Sequence, residues 1–190
     1  MLGHTHALIG VTTVVGMQAL TGFMQPHLIE GVPVGIVLNI SVGIIGALLP
    51  DIDAKESSIK RELGLAGQII QSFLRMIGVK HRGATHFGLT ALLLFFGATI
   101  LGRCWAYPDL GFAFGMGYVS HIVADSLTKS GVLLLWPFYP KSVHLLPKLL
   151  RIRTGSSVET LLFMVVAVCL VFLSPTLLTP EIEMWIKQIL

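Results

Sequence analysis

Five long apolar stretches, separated by short polar turns, constrain this chain more than any other feature of its sequence. A helix needs about 20 mostly apolar residues to cross about 30 Å of hydrocarbon. Stretches near that length run over residues 7–24, 32–49, 87–105, 110–127 and 158–178. Only 12% of the 190 residues are Asp, Glu, Lys or Arg, and 54% are apolar; soluble domains carry about 25% charged residues. That balance, with a mean hydropathy of +0.81, excludes a disordered chain, a nucleic-acid-binding tail and a water-soluble bundle. The expected fold is all-α: one integral membrane domain over residues 1–190, a polytopic bundle of about five transmembrane helices. The first stretch has no basic residue before it and no small-x-small cleavage site after it, so it reads as a mature helix rather than a signal peptide. Cys104 and Cys169 lie in or beside apolar stretches, which fits neither a disulfide framework nor a cysteine zinc site.

Two connections are long enough to carry structure. Residues 57–80 place Ile59, Leu63, Ile70, Phe73, Leu74 and Ile77 near helical spacing among charged residues, which predicts an amphipathic helix lying in the interface. Residues 129–157 hold Trp136 and Tyr139, which favour the headgroup level. Glycine and serine are dense in the second and fourth stretches, and small residues allow close helix contact in lipid.

The polar residues within this apolar frame are few and ordered. His4 and His6 open the first span, Asp51 and Asp53 close the second, His81 and His86 open the third, His121 and Asp125 end the fourth, and Glu159 opens the fifth. An up-and-down path through the membrane brings all five groups to one face. Imidazole and carboxylate together suit zinc and similar divalent ions. His121 and Asp125, four apart, project from one side of a helix. Two carboxylates on the turn after Pro50 repel each other near lipid unless a cation neutralises them. His4 and His6 diverge by about 200° on a helix, so one of the two is the expected ligand. Glu159 also completes a capping-box spacing with Ser156, and His27 and His144 remain unassigned.

The motifs His-Thr-His-Ala-Leu-Ile-Gly at 4–10, Leu-Leu-Pro-Asp-Ile-Asp at 48–53, His-Arg-Gly-Ala-Thr-His at 81–86, Gly117 to Asp125, Gly131 to Phe138 and Arg153 to Glu159 resemble the bacterial YdjM-type proteins. These are described as LexA-regulated, membrane-bound, metal-dependent hydrolases, which implies a place in the SOS response and the inner membrane. That family is distantly similar to the zinc-dependent phospholipase C and single-strand nuclease group, helical enzymes with three zinc ions and an order of His, Asp, His, then His-x-x-x-Asp. By position the resemblance implies His6, the Asp51/Asp53 pair, His86 (or His81), His121 and Asp125 as metal ligands. The phospholipases also use an N-terminal tryptophan and a late His-x-x-x-Glu; here Met1 stands first and Gly155 precedes Glu159 by four. One or two ions, rather than three, are therefore expected.

The function expected is hydrolysis of a phosphate ester, such as a lipid head group, by metal-activated water. Asp53, His81 and Glu159 are the candidate acid–base residues, and Arg82 and Arg153 the candidate phosphate contacts. Membrane lipids and a lipid or phosphoester substrate are the expected partners, with no sign of a nucleic acid. A metal or proton transporter is the rival reading, with a non-catalytic scaffold as a third. Threaded on this topology, eleven of the thirteen Lys and Arg residues fall on the side of the site, leaving only Arg103 and Lys187 opposite. Basic residues stay in the cytoplasm, so the site and the N-terminus are expected there.

Overall fold

Pro50 and the glycine-rich seams set the shape of the fold. The computed structural model describes residues 1–24, 28–29, 32–54, 59–60, 64–76, 83–178 and 180–189. Helix α1 (Gly3–Thr21) leads through a two-residue hairpin, β1 (Leu28–Ile29) paired with β2 (Val32–Pro33), into α2 (Gly35–Leu48). Pro50 cannot donate within an α-helix, and α2 tightens there into a 3-10 turn over Leu49–Asp53 that carries both aspartates. Helix α3 (Gly64–Met76), a 3-10 turn at Ala84–His86, α4 (Gly88–Cys104) and α5 (Pro108–Ser126) follow. An extended connection over 127–156 leads to α6 (Ser157–Leu173), prolonged by a 3-10 turn to Leu177, and then to α7 (Pro180–Ile189).

α5 is central: it packs along α4 and α2 and against α1, which in turn carries α6. The α2–α5 contact is a backbone-to-backbone approach. A Cβ on Gly117 would lie 2.1 Å from the Gly43 carbonyl oxygen, and one on Gly46 would lie 2.2 Å from that of Phe114. No side chain larger than hydrogen fits either position, which is how helices associate where lipid removes the hydrophobic drive. The connection after α5 is held beneath the same helix ends. Lys129 N–H donates to the Ile152 carbonyl, Leu145 N–H to that of Ser126, and Val132 and Val143 exchange two backbone hydrogen bonds.

Each of the five apolar stretches is occupied by a long helix, all within a few residues of the expected bounds. Two of them, Gly35–Asp53 and Ser157–Leu177, are long and apolar enough to cross a membrane. α4 is apolar but has 17 residues, and α1 and α5 fall short because histidine, threonine, glutamine and aspartate dilute them. α4 and α6 turn Leu92, Leu93, Phe96, Val168, Val171 and Phe172 outward, a surface suited to lipid rather than water. Within the expected amphipathic stretch 57–80, α3 covers Gly64–Met76; of the expected stripe, Leu63, Ile77 and the side chains of Phe73 and Leu74 lie outside what the structure describes. α7 was not expected.

Candidate metal centre

Four elements deliver five polar residues to a single point at one end of the bundle. His6 comes from the first turns of α1, Asp51 from the 3-10 turn after α2, His86 from the turn before α4, and His121 and Asp125 from the end of α5. His6, His86, His121 and Asp125 are fully buried, whereas the Asp51 side chain is 20% exposed. Asp51 is thus the member of the group that meets solvent.

Hydrogen bonds on the outer side of the imidazoles fix their protons. His121 Nδ1 lies 2.7 Å from the Ala47 carbonyl oxygen. A carbonyl only accepts, so Nδ1 carries the hydrogen and Nε2 presents a lone pair. The Thr85 hydroxyl donates to Asp53 Oδ2 at 3.1 Å and lies 3.0 Å from His86 Nδ1. With its one proton committed to Asp53, the Thr85 oxygen accepts from His86 Nδ1–H. His86 Nε2 is therefore also a lone pair. Tyr118, one turn before His121, donates its phenol to the Thr85 carbonyl and fixes that turn.

The two Nε2 atoms face each other at 3.2 Å. Two lone pairs at that separation repel unless a cation lies between them. Two nitrogens on one tetrahedral zinc, each bonded at 2.0–2.1 Å, stand about 3.4 Å apart. Asp51 Oδ1 lies 3.7 Å from His86 Nε2 and 3.8 Å from His121 Nε2, and Asp125 Oδ2 lies 3.8 Å from His86 Nε2. These distances match donors around a shared ion. Two triads, His6–Asp51–His121 and His86–His121–Asp125, place their donor atoms within 4.8 Å of one another and share His121. His6 stacks on His121 with ring centroids 3.7 Å apart. Its Nε2 lies 3.2 Å from Asp125 Oδ1, while its Nδ1 has no hydrogen-bond partner among the described residues. The residues present fit a divalent ion.

Of the expected residues, the structure brings together His6, Asp51, His86, His121 and Asp125. His4 is exposed and packs edge-on against Phe163, so the helical divergence of the pair resolves in favour of His6. Asp53 stands one layer out, on Thr85, and belongs to neither triad. Glu159 is buried, and its two oxygens accept the Leu2 N–H at 2.6 Å and the Gly155 N–H at 2.7 Å. Its own N–H donates to the Ser156 hydroxyl at 3.4 Å. The capping geometry is thus formed, and it ties the start of α6 to the start of α1. The Met1 amino group makes a separate tie, from the start of α1 to the end of α5, with a 2.6 Å ion pair to Asp125 Oδ1. Arg153 is exposed on the turn entering α6. His81, Arg82 and His27 lie outside the described residues. His144 is half-buried, with its Nε2 3.2 Å from the Lys129 carbonyl oxygen.

Three residues were not singled out in the sequence. Thr85 and Ala47 orient the imidazoles; Thr85 is adjacent to His86 in its motif, and a backbone acceptor such as Ala47 leaves no mark on sequence. Asn39 is a lone amide in an apolar helix and donates at 2.8 Å to the buried Asp109 carboxylate. That pair joins α2 to α5 at the end away from the histidines.

A sequence profile of the YdjM inner membrane protein family matches residues 1–179. This chain belongs to the YdjM family. It is 30% identical over 164 residues to "Uncharacterized protein YvsG" of Bacillus subtilis (strain 168), covering 85% of this chain and 86% of that protein. It is 38% identical over 96 residues to "Inner membrane protein YdjM" of Escherichia coli (strain K12) and of Shigella flexneri, covering half of this chain and 46% of each relative. No solved structure matches the chain. The chain is a membrane protein of the YdjM family, and its described residues include His and Asp groups that could hold a metal ion.

Proposed function

We propose that this YdjM-family member is a membrane-bound, metal-dependent hydrolase of phosphate esters, acting at the cytoplasmic face of the inner membrane. The observation that carries the reading is the opposed pair of Nε2 lone pairs of His86 and His121, ringed by Asp51, Asp125 and His6. One or two ions, with zinc best suited to the donor set, would be held by these five residues. A bound divalent ion supplies water of lowered pKa and neutralises a phosphoryl oxygen.

The chain's own groups have separate tasks. Asp51, at the solvent edge, is placed to accept the proton of the attacking water. Asp53 acts through Thr85 on His86, so its role is positioning rather than proton transfer. Glu159 holds the start of α1 and thereby His6. Arg153, at the same end of the bundle, is a phosphate contact, as is Arg82 by its place in the His81–His86 motif; His81 retains the acid–base role assigned from sequence.

Five membrane-spanning helices, with the N-terminus and site inside, follow from the common end of the polar groups and the basic residues that gather there. The site then lies at headgroup depth, and a lipid phosphate ester is the substrate class it meets. A transport pathway along the α2–α5 seam would have to pass between Gly43, Gly46 and Gly117, where backbone meets backbone. The buried Asn39–Asp109 pair is cut off from the histidines by that contact.

The test is release by the purified full chain of inorganic phosphate from phosphatidate and of the phosphorylated head group from phospholipid diesters, with and without chelator. Release that requires metal and is lost in Asp51→Asn supports the reading. Stoichiometric metal with no release from either class contradicts catalysis and favours a scaffold.

A further inference from the structure

Helix α3 is turned inside out relative to a soluble amphipathic helix. Leu65, Ile69 and Met76 are 76%, 69% and 75% exposed. At 100° per residue these three lie within about 40° of one another, and Gln71 lies about 140° round from them. Among the described side chains of α3, Gln71 is the buried one, 6% exposed. Its amide donates to the Ala54 carbonyl at 2.5 Å and to the Ile52 carbonyl at 3.3 Å, and its oxygen accepts from Lys60 at 3.4 Å. A polar residue therefore fastens α3 to the Asp51–Asp53 turn while the apolar stripe points away from the protein.

We propose that this stripe seats α3 on the lipid surface of the membrane, and that through Gln71 the seat holds the Asp51–Asp53 turn in the geometry of the metal centre. The occupant is lipid because of where α3 lies. The apolar helix Gly35–Asp53 ends at the turn that Gln71 grips, so α3 sits at the level where that helix leaves the hydrocarbon. Helices of this kind bury an apolar face about 5–10 Å into the headgroup boundary with basic groups alongside, and Lys60 is such a group. Gln71 is a positioning residue: it grips the carbonyls flanking Asp51 and Asp53 and touches neither carboxylate. The lipid seat stands independently of the metal reading, whereas the effect on the centre rests on it.

The test uses the full chain in phosphatidylethanolamine–phosphatidylglycerol nanodiscs holding one copy each, with Cys104→Ser and Cys169→Ser. A fluorophore on Ile69→Cys is expected to be quenched by doxyl-labelled lipid and shielded from aqueous iodide. Iodide quenching overturns the seat, and so does shielding that occurs only in discs holding two copies, because the occupant is then a second chain. The coupling is read with Leu65→Ser/Ile69→Ser/Met76→Ser and with Gln71→Leu, each expected to weaken zinc affinity about ten-fold and to speed amide exchange over residues 51–54. Leu92→Ser, an exposed apolar residue of α4, is expected to change neither. Unchanged exchange in both α3 variants overturns the coupling. A wild-type chain that binds no zinc contradicts the metal reading alone, since quenching and exchange still decide this one.

Discussion

His121 donates its Nδ1 hydrogen to the Ala47 carbonyl at 2.7 Å, a bond between the end of α5 and the end of α2, 74 residues apart. The bond exists because Gly46 and Gly117 let the two backbones touch. A packing feature thereby sets the tautomer of an imidazole.

Gly117→Ala is accordingly expected to damage the centre without altering any polar residue. Overpacking of this kind costs about 1–3 kcal/mol, and the α2 backbone must withdraw from His121. The expected outcome is a lower thermal midpoint together with weaker zinc binding. Gly97→Ala, where a Cβ meets nothing within 4 Å, is the control and is expected to change neither.

Asp53 and Asp51 are expected to behave differently despite standing two residues apart. Asp53→Asn and Thr85→Val remove the support of His86 Nδ1, and loss of such outer partners weakens metal affinity about 10–100-fold. Asp51→Asn removes a donor, so bound metal per chain falls. Equal behaviour of the two aspartate variants in competition titrations with a chromophoric chelator contradicts this division.

Glu159 is expected to act on stability rather than on proton transfer. Hydrogen bonds to charged groups contribute about 1.5–3 kcal/mol, and Glu159→Ala removes the acceptor of the Leu2 and Gly155 N–H groups. The folded protein is expected to lose several degrees in its melting midpoint. Glu159→Gln, which keeps one acceptor, is expected to lose less and to retain the pH profile of any phosphate release. A pH profile that loses one limb in Glu159→Gln restores the acid–base role.

The orientation has a direct test in the native cysteines. In a Cys169→Ser background, exposed Cys104 at the end of α4 is expected to react with an impermeant maleimide added to intact cells. With Cys104 also replaced, Lys141→Cys is expected to react only after permeabilisation. The reverse pattern contradicts a cytoplasmic site.

The helices were legible because hydropathy is a property of stretches, and α1, α2, α4, α5 and α6 occupy those stretches. The gathering of His6, Asp51, His86, His121 and Asp125 was legible because the order of polar residues along an up-and-down path fixes which end each group occupies. Individual roles were less so. Whether Asp51 or Asp53 faces the histidines depends on the winding of a five-residue 3-10 turn, and both carry the same chemistry. Glu159 fits an acid–base role and a capping pattern equally well on paper; the structure forms the capping contacts, with the start of α1 as an added partner set by tertiary packing. The grip of Gln71 was not legible, because spacing shows an apolar stripe without showing which way it points.

The function of the centre depends on whether the opposed imidazoles of His86 and His121 hold an ion. Metal analysis of the purified full chain, beside His86→Ala and His121→Ala variants shown to be folded by circular dichroism, measures this directly. The wild type is expected to carry one or two divalent ions per chain and the His121→Ala variant, which removes the residue common to both triads, to carry none. Equal metal content in all three folded proteins, or none in the wild type after zinc loading, would contradict it.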